Sequence, residues 1–240
     1  MVKDGNEADK NQIIVHDFGS DTQIQLAAEW NLSPGQVLWS HDSKQLILAV
    51  GEDARVRIFT LDVPAFDSLE KFAVSGTRHS LRPHTKPVRV TNHHTVGAIQ
   101  RAGSDGSLVF TQSNARGPNN AFIVRPSGSV RPANAARFIP DNSNNAFVTG
   151  ESALDAEFKG WTVEQITDFG LRRLGPKHLD DPVDFKYTGA EGHTVQGWVY
   201  RPPGFHERDR KKWPIILAIH GGPQSAWEDS WSTRWNMNGA

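Results

Sequence analysis

The most constraining feature of this sequence is an apolar run near its end that stops at a glycine-rich turn. Residues 215–219 are Ile-Ile-Leu-Ala-Ile, an unbroken run that is typical of a strand buried on both faces. His220-Gly221-Gly222-Pro223 follows directly. Glycine frees the backbone there, and proline cannot continue a hydrogen-bonded ladder. We therefore expect a buried strand that ends at this turn.

Three tryptophans follow the turn at intervals of four residues: Trp227, Trp231 and Trp235. This spacing places them on one stripe of a helix. A buried strand, a glycine turn and a helix in that order are typical of the start of an α/β domain. We expect residues 183–240 to form such a start, with the domain left incomplete within these 240 residues.

The first 150 residues show a different pattern, in which short alternating segments are separated by turns, several of which contain aspartate. Strand pairs or single strands are predicted for residues 12–28, 37–49, 55–59, 95–111 and, more faintly, 137–149. Repeated short strands with polar turns favour a sandwich or a β-propeller of about three blades. A generic all-β domain is the alternative, because turns of this kind are common.

The middle of the chain carries two further patterns. Apolar residues at loosely helical spacing predict a helix within residues 154–174, inside a linker that spans residues 151–182. Alternating residues on both sides of a glycine-containing turn then predict an antiparallel hairpin over residues 183–200. The fold class expected from the whole chain is therefore mainly β passing into α/β.

Composition excludes several classes of protein. The 26 basic and 27 acidic residues give a net charge of −1, which indicates neither a nucleic acid nor an anionic membrane as a partner. No apolar run reaches the roughly 18 residues of a membrane span, and the polar N-terminus lacks the pattern of a signal peptide. The absence of cysteine excludes disulfides and thiolate metal sites, and leaves the compartment open.

The string His220-Gly221-Gly222-Pro223-Gln224-Ser225-Ala226-Trp227 is far more specific than a glycine pair. It resembles the prolyl oligopeptidase family of serine peptidases, most closely its fungal dipeptidyl-peptidase V branch. The resemblance implies a β-propeller followed by an α/β-hydrolase domain, and peptide substrates cleaved to dipeptides or acylated residues through an acyl-enzyme. It also implies secretion, without a cofactor.

The same resemblance assigns a role to the glycine turn. The main-chain N–H of Gly222 would donate one of the two hydrogen bonds of an oxyanion hole. His220, Gly221 and Pro223 would organise the loop around it. The catalytic serine, aspartate and histidine of the family lie beyond this loop in chain order, so we expect none of them among the 240 residues and no activity of the chain alone.

One upstream segment imitates a nucleophile turn. Gly150-Glu151-Ser152-Ala153 has the start of a Gly-x-Ser-x-Gly motif, but Leu154 replaces the final glycine and the segment precedes the glycine turn. Ser152 is better explained as a helix cap.

Histidines can bind metal ions, but their positions in this sequence do not predict a metal site. His93 and His94 are adjacent and would point to opposite faces of a strand, and His79 and His84 have no spaced carboxylate nearby. We predict no metal. Two functions stay open at this point: part of a serine exopeptidase, or a propeller-derived binding module without catalysis. The sequence leaves the oligomeric state open.

Overall fold

The computed structural model describes residues 9–66, 80–81, 83–92, 94–126, 161–169, 182–202, 204–208, 211–222 and 225–232. Within these ranges the regular secondary structure is almost entirely β-strand, with a 3-10 turn at Ala190–Gly192, and no helix there is long and apolar enough to cross a membrane. The strands are β1 Ile13–Asp17, β2 Thr22–Leu26, β3 Pro34–Trp39, β4 Gln45–Glu52, β5 Arg55–Asp62, β6 Ser80–Leu81, β7 Val88–Arg89, β8 Thr95–Arg101, β9 Leu108–Asn114, β10 Gly117–Pro126, β11 Trp161–Gln165, β12 Val183–Thr188 and β13 Thr194–Val199.

The first sheet has the strand order β1-β2-β6. Its antiparallel pair β1–β2 confirms the hairpin predicted within residues 12–28, with Val15 opposite Ile24. The carboxylate of Asp17 closes the turn by accepting a hydrogen bond from the N–H of Ser20 at 2.9 Å. Strand β6 adds to β2 in parallel, although it lies more than fifty residues further along the chain.

The second sheet has the order β3-β4-β5-β7 and confirms the strands predicted between residues 37 and 59. The aspartate turn forms as expected, because the Asp42 carboxylate accepts from the Ser40 hydroxyl at 2.7 Å and from the Lys44 N–H at 3.2 Å. Asp53 and Ala54 link β4 to β5 with φ of 49° and 51°. Two successive positive φ values match the twist of a tight hairpin.

The third sheet has the order β11-β10-β9-β8 and confirms the strand pair predicted within residues 95–111. Strand β10 was not predicted. The helix predicted within residues 154–174 is wrong at residues 161–165, which form β11 and pair antiparallel with β10. The edge of β10 supplies hydrogen bonds, Val163 lies opposite Val124, and Arg125 Nη1 pairs with Glu164 Oε2 at 2.9 Å. These tertiary contacts outweigh a weak helical spacing.

The second sheet is buried on both faces. Leu48 and Val50 of β4 point into a core shared with the first sheet, whereas Ile47 and Ala49 point into a core shared with the third. All four of these β4 side chains are nearly inaccessible to solvent. The three sheets therefore pack face to face in sequence order, and they do not close into a ring within the described residues.

The hairpin predicted over residues 183–200 is confirmed by the register of β12 and β13, in which Val183 lies opposite Val199. The buried strand predicted over residues 215–219 is wrong: these residues are not a strand, and the side chains of Ile215, Ile216, Leu217 and Ile219 are 80–93% exposed. A buried strand needs neighbours at its edges and layers on its faces. No described strand pairs with this segment.

The helix predicted for the tryptophan stripe is also wrong where it is described. Residues 225–232 form bends and irregular backbone, and Trp235 lies outside the described residues, as do residues 137–149. The backbone of residues 225–232 instead makes hydrogen bonds to the sheets. The irregular path follows from those bonds, since a helix would direct the same N–H groups along its own axis.

Candidate functional site

The glycine turn at residues 220–222 lies at the surface. In the tautomer with the proton on Nδ1, the His220 ring donates to the carbonyl oxygen of Gly221 at 3.2 Å. The same ring lies 6.4 Å from the Trp227 ring in an edge arrangement. His220 therefore links the turn to the segment that follows it. Pro223 lies outside the described residues.

The two glycines of the turn have different requirements. Gly222 has φ of +109°, and a Cβ there would lie 3.2 Å from Cβ of Ser225. Gly221 has an ordinary φ and open space where its Cβ would be. Only Gly222 therefore requires the conformational freedom of glycine. This is the residue that the sequence predicts as the oxyanion donor.

A buried carboxylate anchors the segment that follows the turn. Asp229 is 5% exposed. Its Oδ1 accepts from the N–H of Ala115 at 3.0 Å, its Oδ2 lies 3.1 Å from Nδ1 of His94, and the same oxygen lies 3.7 Å from Nε of Arg55. The main-chain N–H of Asp229 donates to the carbonyl of Ala54 at 3.0 Å. The partners come from the second and third sheets, so one side chain connects both to the C-terminal segment.

The charge environment of Asp229 favours its ionised form. Burial raises the pKa of this carboxyl, but the hydrogen bond and charge of His94, the N–H of Ala115 and the charge of Arg55 outweigh burial, and the pKa lies below its ordinary value. The neighbouring Tyr200 hydroxyl has a raised pKa, first because it is buried and second because Asp229 is negative. Asp229 is therefore a charged group held in a polar pocket.

The β12–β13 hairpin packs against the same pocket. The Arg55 guanidinium lies over the Trp198 ring at 4.6 Å, a distance suited to cation–π attraction. Trp198 Nε1 donates to the carbonyl of Trp227 at 2.8 Å. Lys186 Nζ pairs with Asp53 Oδ1 at 3.1 Å on the turn that joins β4 to β5. The hairpin, the C-terminal segment and the turns of two sheets therefore meet around Arg55 and Asp229.

Among the residues that the structure describes, this arrangement can position chain segments, but it does not form a nucleophilic dyad. In a serine hydrolase the histidine that faces the aspartate presents its other nitrogen to the nucleophile. Here Nε2 of His94 faces Nδ2 of Asn114 at 3.4 Å, and an amide cannot act as that nucleophile. The His94–Asp229 pair is therefore a structural link.

Of the remaining candidate residues the structure describes His84. His79, His93, Ser152 and the flanking Gly150 lie outside the described residues, and His84 lies between β6 and β7. Among the residues that the structure describes, no three His, Asp or Glu side chains are grouped so as to hold a metal ion.

Sequence reasoning missed the Asp229 pocket. His94 appeared only as one of two adjacent histidines, and Asp229 was not singled out by any sequence pattern. The two residues are 135 positions apart, so no local pattern connects them. The one local signal is that Asp229 lies midway between Trp227 and Trp231, and this position points to no partner.

No family model matches the chain. In the described residues, three sheets of short, mainly antiparallel strands precede the glycine turn, and the curated relatives that resemble this chain are named as peptidases. The dipeptidyl-peptidase 5 of Trichophyton equinum is 29% identical to this chain over 237 residues, which is 98% of the chain and 26% of that relative. The dipeptidyl-peptidase 5 of one Aspergillus fumigatus strain is 29% identical over 231 residues, 96% of this chain and 25% of the relative.

The chain therefore resembles dipeptidyl-peptidase 5 over almost its entire length, as its motifs predicted. It spans about a quarter of the length of the curated relatives that it matches.

Proposed function

We propose that this chain is part of a serine exopeptidase similar to dipeptidyl-peptidase 5, which removes N-terminal dipeptides from peptide substrates through an acyl-enzyme. The observation that carries the proposal is the match to relatives of that name over 98% of the chain. On this proposal the three packed sheets are blades of a β-propeller, and residues 183–240 begin an α/β-hydrolase domain. The catalytic serine, aspartate and histidine then lie outside these 240 residues.

The glycine turn supplies the second support for the proposal. An oxyanion hole needs main-chain N–H groups fixed where negative charge develops on the substrate. At Gly222 the backbone has a φ of +109°, which residues other than glycine rarely adopt. An N–H group at such a residue can point away from the local hydrogen-bond pattern, which is the geometry that a donor to substrate requires.

In the test, this chain replaces the matching segment of the Aspergillus fumigatus relative, and the chimera is assayed for release of N-terminal dipeptides from chromogenic substrates. We expect the chimera to hydrolyse them, and the 240-residue chain alone to show no hydrolysis above background. A chimera that folds by circular dichroism and gel filtration but is inactive, beside an active parent, would contradict the proposal and favour a binding module without catalysis.

Two variants of the chimera test the oxyanion assignment. Gly222→Ala forces a strained φ and a close contact with Ser225, so we expect kcat to fall by as much as the roughly hundred- to thousandfold loss of one oxyanion donor. Gly221→Ala is the matched control, because its Cβ meets open space. Equal effects of the two substitutions would refute the assignment of Gly222. If the 240-residue chain hydrolyses the substrates and Ser152→Ala abolishes this hydrolysis, the proposal that the nucleophile lies outside these 240 residues is refuted.

A further inference from the structure

We propose that Asp229 is a positioning residue, which fixes the glycine turn at residues 220–222 by anchoring residues 225–232 to the second and third sheets. The catalytic consequence of this inference rests on the proposed peptidase function. The anchoring itself does not, and it can be measured without any activity.

Several elements of the fold meet at the Asp229 carboxylate. Ala115 belongs to the turn between β9 and β10, His94 precedes β8, and Arg55 begins β5. Each donates to or pairs with the Asp229 carboxylate, while the Asp229 N–H bonds the carbonyl of Ala54. A charge that is 5% exposed stays ionised only where such partners surround it. The position of Asp229 is therefore fixed from four directions.

A continuous chain of contacts leads from Asp229 to the turn. Trp227 lies two residues before Asp229, and its carbonyl accepts a hydrogen bond from Trp198 Nε1 at 2.8 Å. Its ring contacts the ring of His220, and Ser225 lies beside the position that a Cβ on Gly222 would occupy. Movement of residues 225–232 would therefore displace both ends of the turn.

The backbone at His94, which contacts Asp229, is strained. His94 has φ of 61°, a left-handed conformation that is unfavourable for residues with a side chain, whereas the φ of 51° at Ala54 belongs to the tight β4–β5 hairpin. Such conformations persist where surrounding contacts hold them, and they cluster at functional sites. Both residues hydrogen-bond Asp229, one through its carbonyl and the other through its ring.

These contacts predict which kinetic parameter depends on Asp229. Asp229 is buried against the sheets and is linked to the turn through Trp227, so its loss would change where the Gly222 N–H points without removing a contact to the substrate. An oxyanion donor acts on charge that develops in the transition state. Loss of the anchor is therefore expected to lower kcat and to leave KM nearly unchanged.

The first experiment uses the 240-residue chain and three variants: Asp229→Ala, Asp229→Asn and the control Glu228→Gln. The control removes the carboxylate at the neighbouring position, whose pKa is raised by burial, and keeps the size of the side chain. The measurements are hydrogen exchange of the Ala115 amide and the NMR resonances of the Trp198 indole N–H and the His220 ring. Exchange of the β4 and β5 amides reports whether the sheets remain folded.

We expect Asp229→Ala to lower protection of the Ala115 amide at least tenfold and to shift both ring resonances. Asparagine keeps one acceptor oxygen for Ala115, so Asp229→Asn should retain that protection in part and still shift the resonances. Glu228→Gln should change neither. If Asp229→Ala also loses protection in β4 and β5, its sheets are unfolded, and the test then rests on the Trp198 and His220 resonances of Asp229→Asn. Unchanged Trp198 and His220 resonances in a folded Asp229 variant would overturn the proposal.

The second experiment places Asp229→Asn and Glu228→Gln in the chimera with the Aspergillus fumigatus relative. We expect Asp229→Asn to lower kcat at least tenfold with KM changed less than twofold, and Glu228→Gln to change neither. A rise in KM with unchanged kcat would refute the positioning role. If the parent chimera is inactive, the peptidase proposal fails, and the NMR comparison still decides whether Asp229 holds the turn.

Discussion

Gln36 offers a sharp test of how the second and third sheets are joined. Its side chain belongs to β3, yet it bonds the backbone of Ile99 in β8 twice: Nε2 donates to the carbonyl at 2.8 Å, and Oε1 accepts from the N–H at 3.2 Å. Strand β8 is the edge of its sheet, and its register shifts between Val96 and Ile99. The amide of Gln36 therefore satisfies two groups that an edge strand leaves unpaired.

We expect Gln36→Leu to lower the free energy of unfolding by about 2 to 3 kcal/mol. Each hydrogen bond contributes about 1 kcal/mol net, and each buried group left without a partner costs about 1–3 kcal/mol. Ile99 is only 1% exposed, so water cannot fully replace the amide. At about 2–4 °C per kcal/mol for a chain of this size, Tm should fall by roughly 4 to 12 °C.

The assay is urea denaturation followed by tryptophan fluorescence, together with hydrogen exchange of the Ile99 amide. Gln45→Leu is the control, because that side chain bonds Asp62 at the surface and its loss should change stability by less than about 0.5 kcal/mol. A Gln36→Leu variant as stable as the control, or an Ile99 amide that exchanges freely in the parent chain, would refute the reasoning.

Three further outcomes follow from the structure. Hydrogen bonds from nearby Ser side chains lower the pKa of three aspartates in turns, Asp17, Asp42 and Asp105. The stability that these carboxylates confer is therefore present above their ordinary pKa of 3.8 and is lost as pH falls through the lower folded pKa. A variant with all three replaced by Asn should show a flatter fall of Tm in acid than the parent chain does. Leu48→Ala should lower the free energy of unfolding, measured by urea denaturation, by about 2.7–5 kcal/mol. Val37→Ala, at the half-exposed cross-strand neighbour, should lower it by less than about 1 kcal/mol. Equal losses would contradict the burial of β4 on both faces. Leu217→Lys should reduce self-association in light scattering without lowering Tm, because Leu217 is 83% exposed in an apolar segment.

Local patterns were sufficient for the hairpins. In residues 12–28 and 183–200 the alternation of apolar and polar residues matches the two-residue period of a strand, and a compact turn joins the partners. Strand β11 was missed because its pairing depends on β10, which the sequence did not identify. Thr162 and Val163 suit a strand, but their neighbours have loosely helical spacing.

Patterns that depend on distant neighbours were less informative. Residues 215–219 have the composition of a buried strand, but composition does not supply the strands and layers that would bury them. The position of Gly222 in a glycine turn was predictable, since the run His220-Gly221-Gly222 is local. The anchoring of that turn by Asp229 was not, because its partners His94, Arg55 and Ala115 come from three separate parts of the chain.

The pairing of β6 with β2 has a consequence for the order in which the chain assembles. Strand β6 begins at Ser80, after the first three strands of the second sheet, so the first sheet cannot be complete until those strands have been synthesised. The β4–β5 hairpin needs only a short loop closure and has apolar side chains on both faces, so we expect it to form first. The first hairpin must therefore keep an open strand edge during translation until the later segment returns to cover it, an interval in which newly made chains are exposed to pairing with one another.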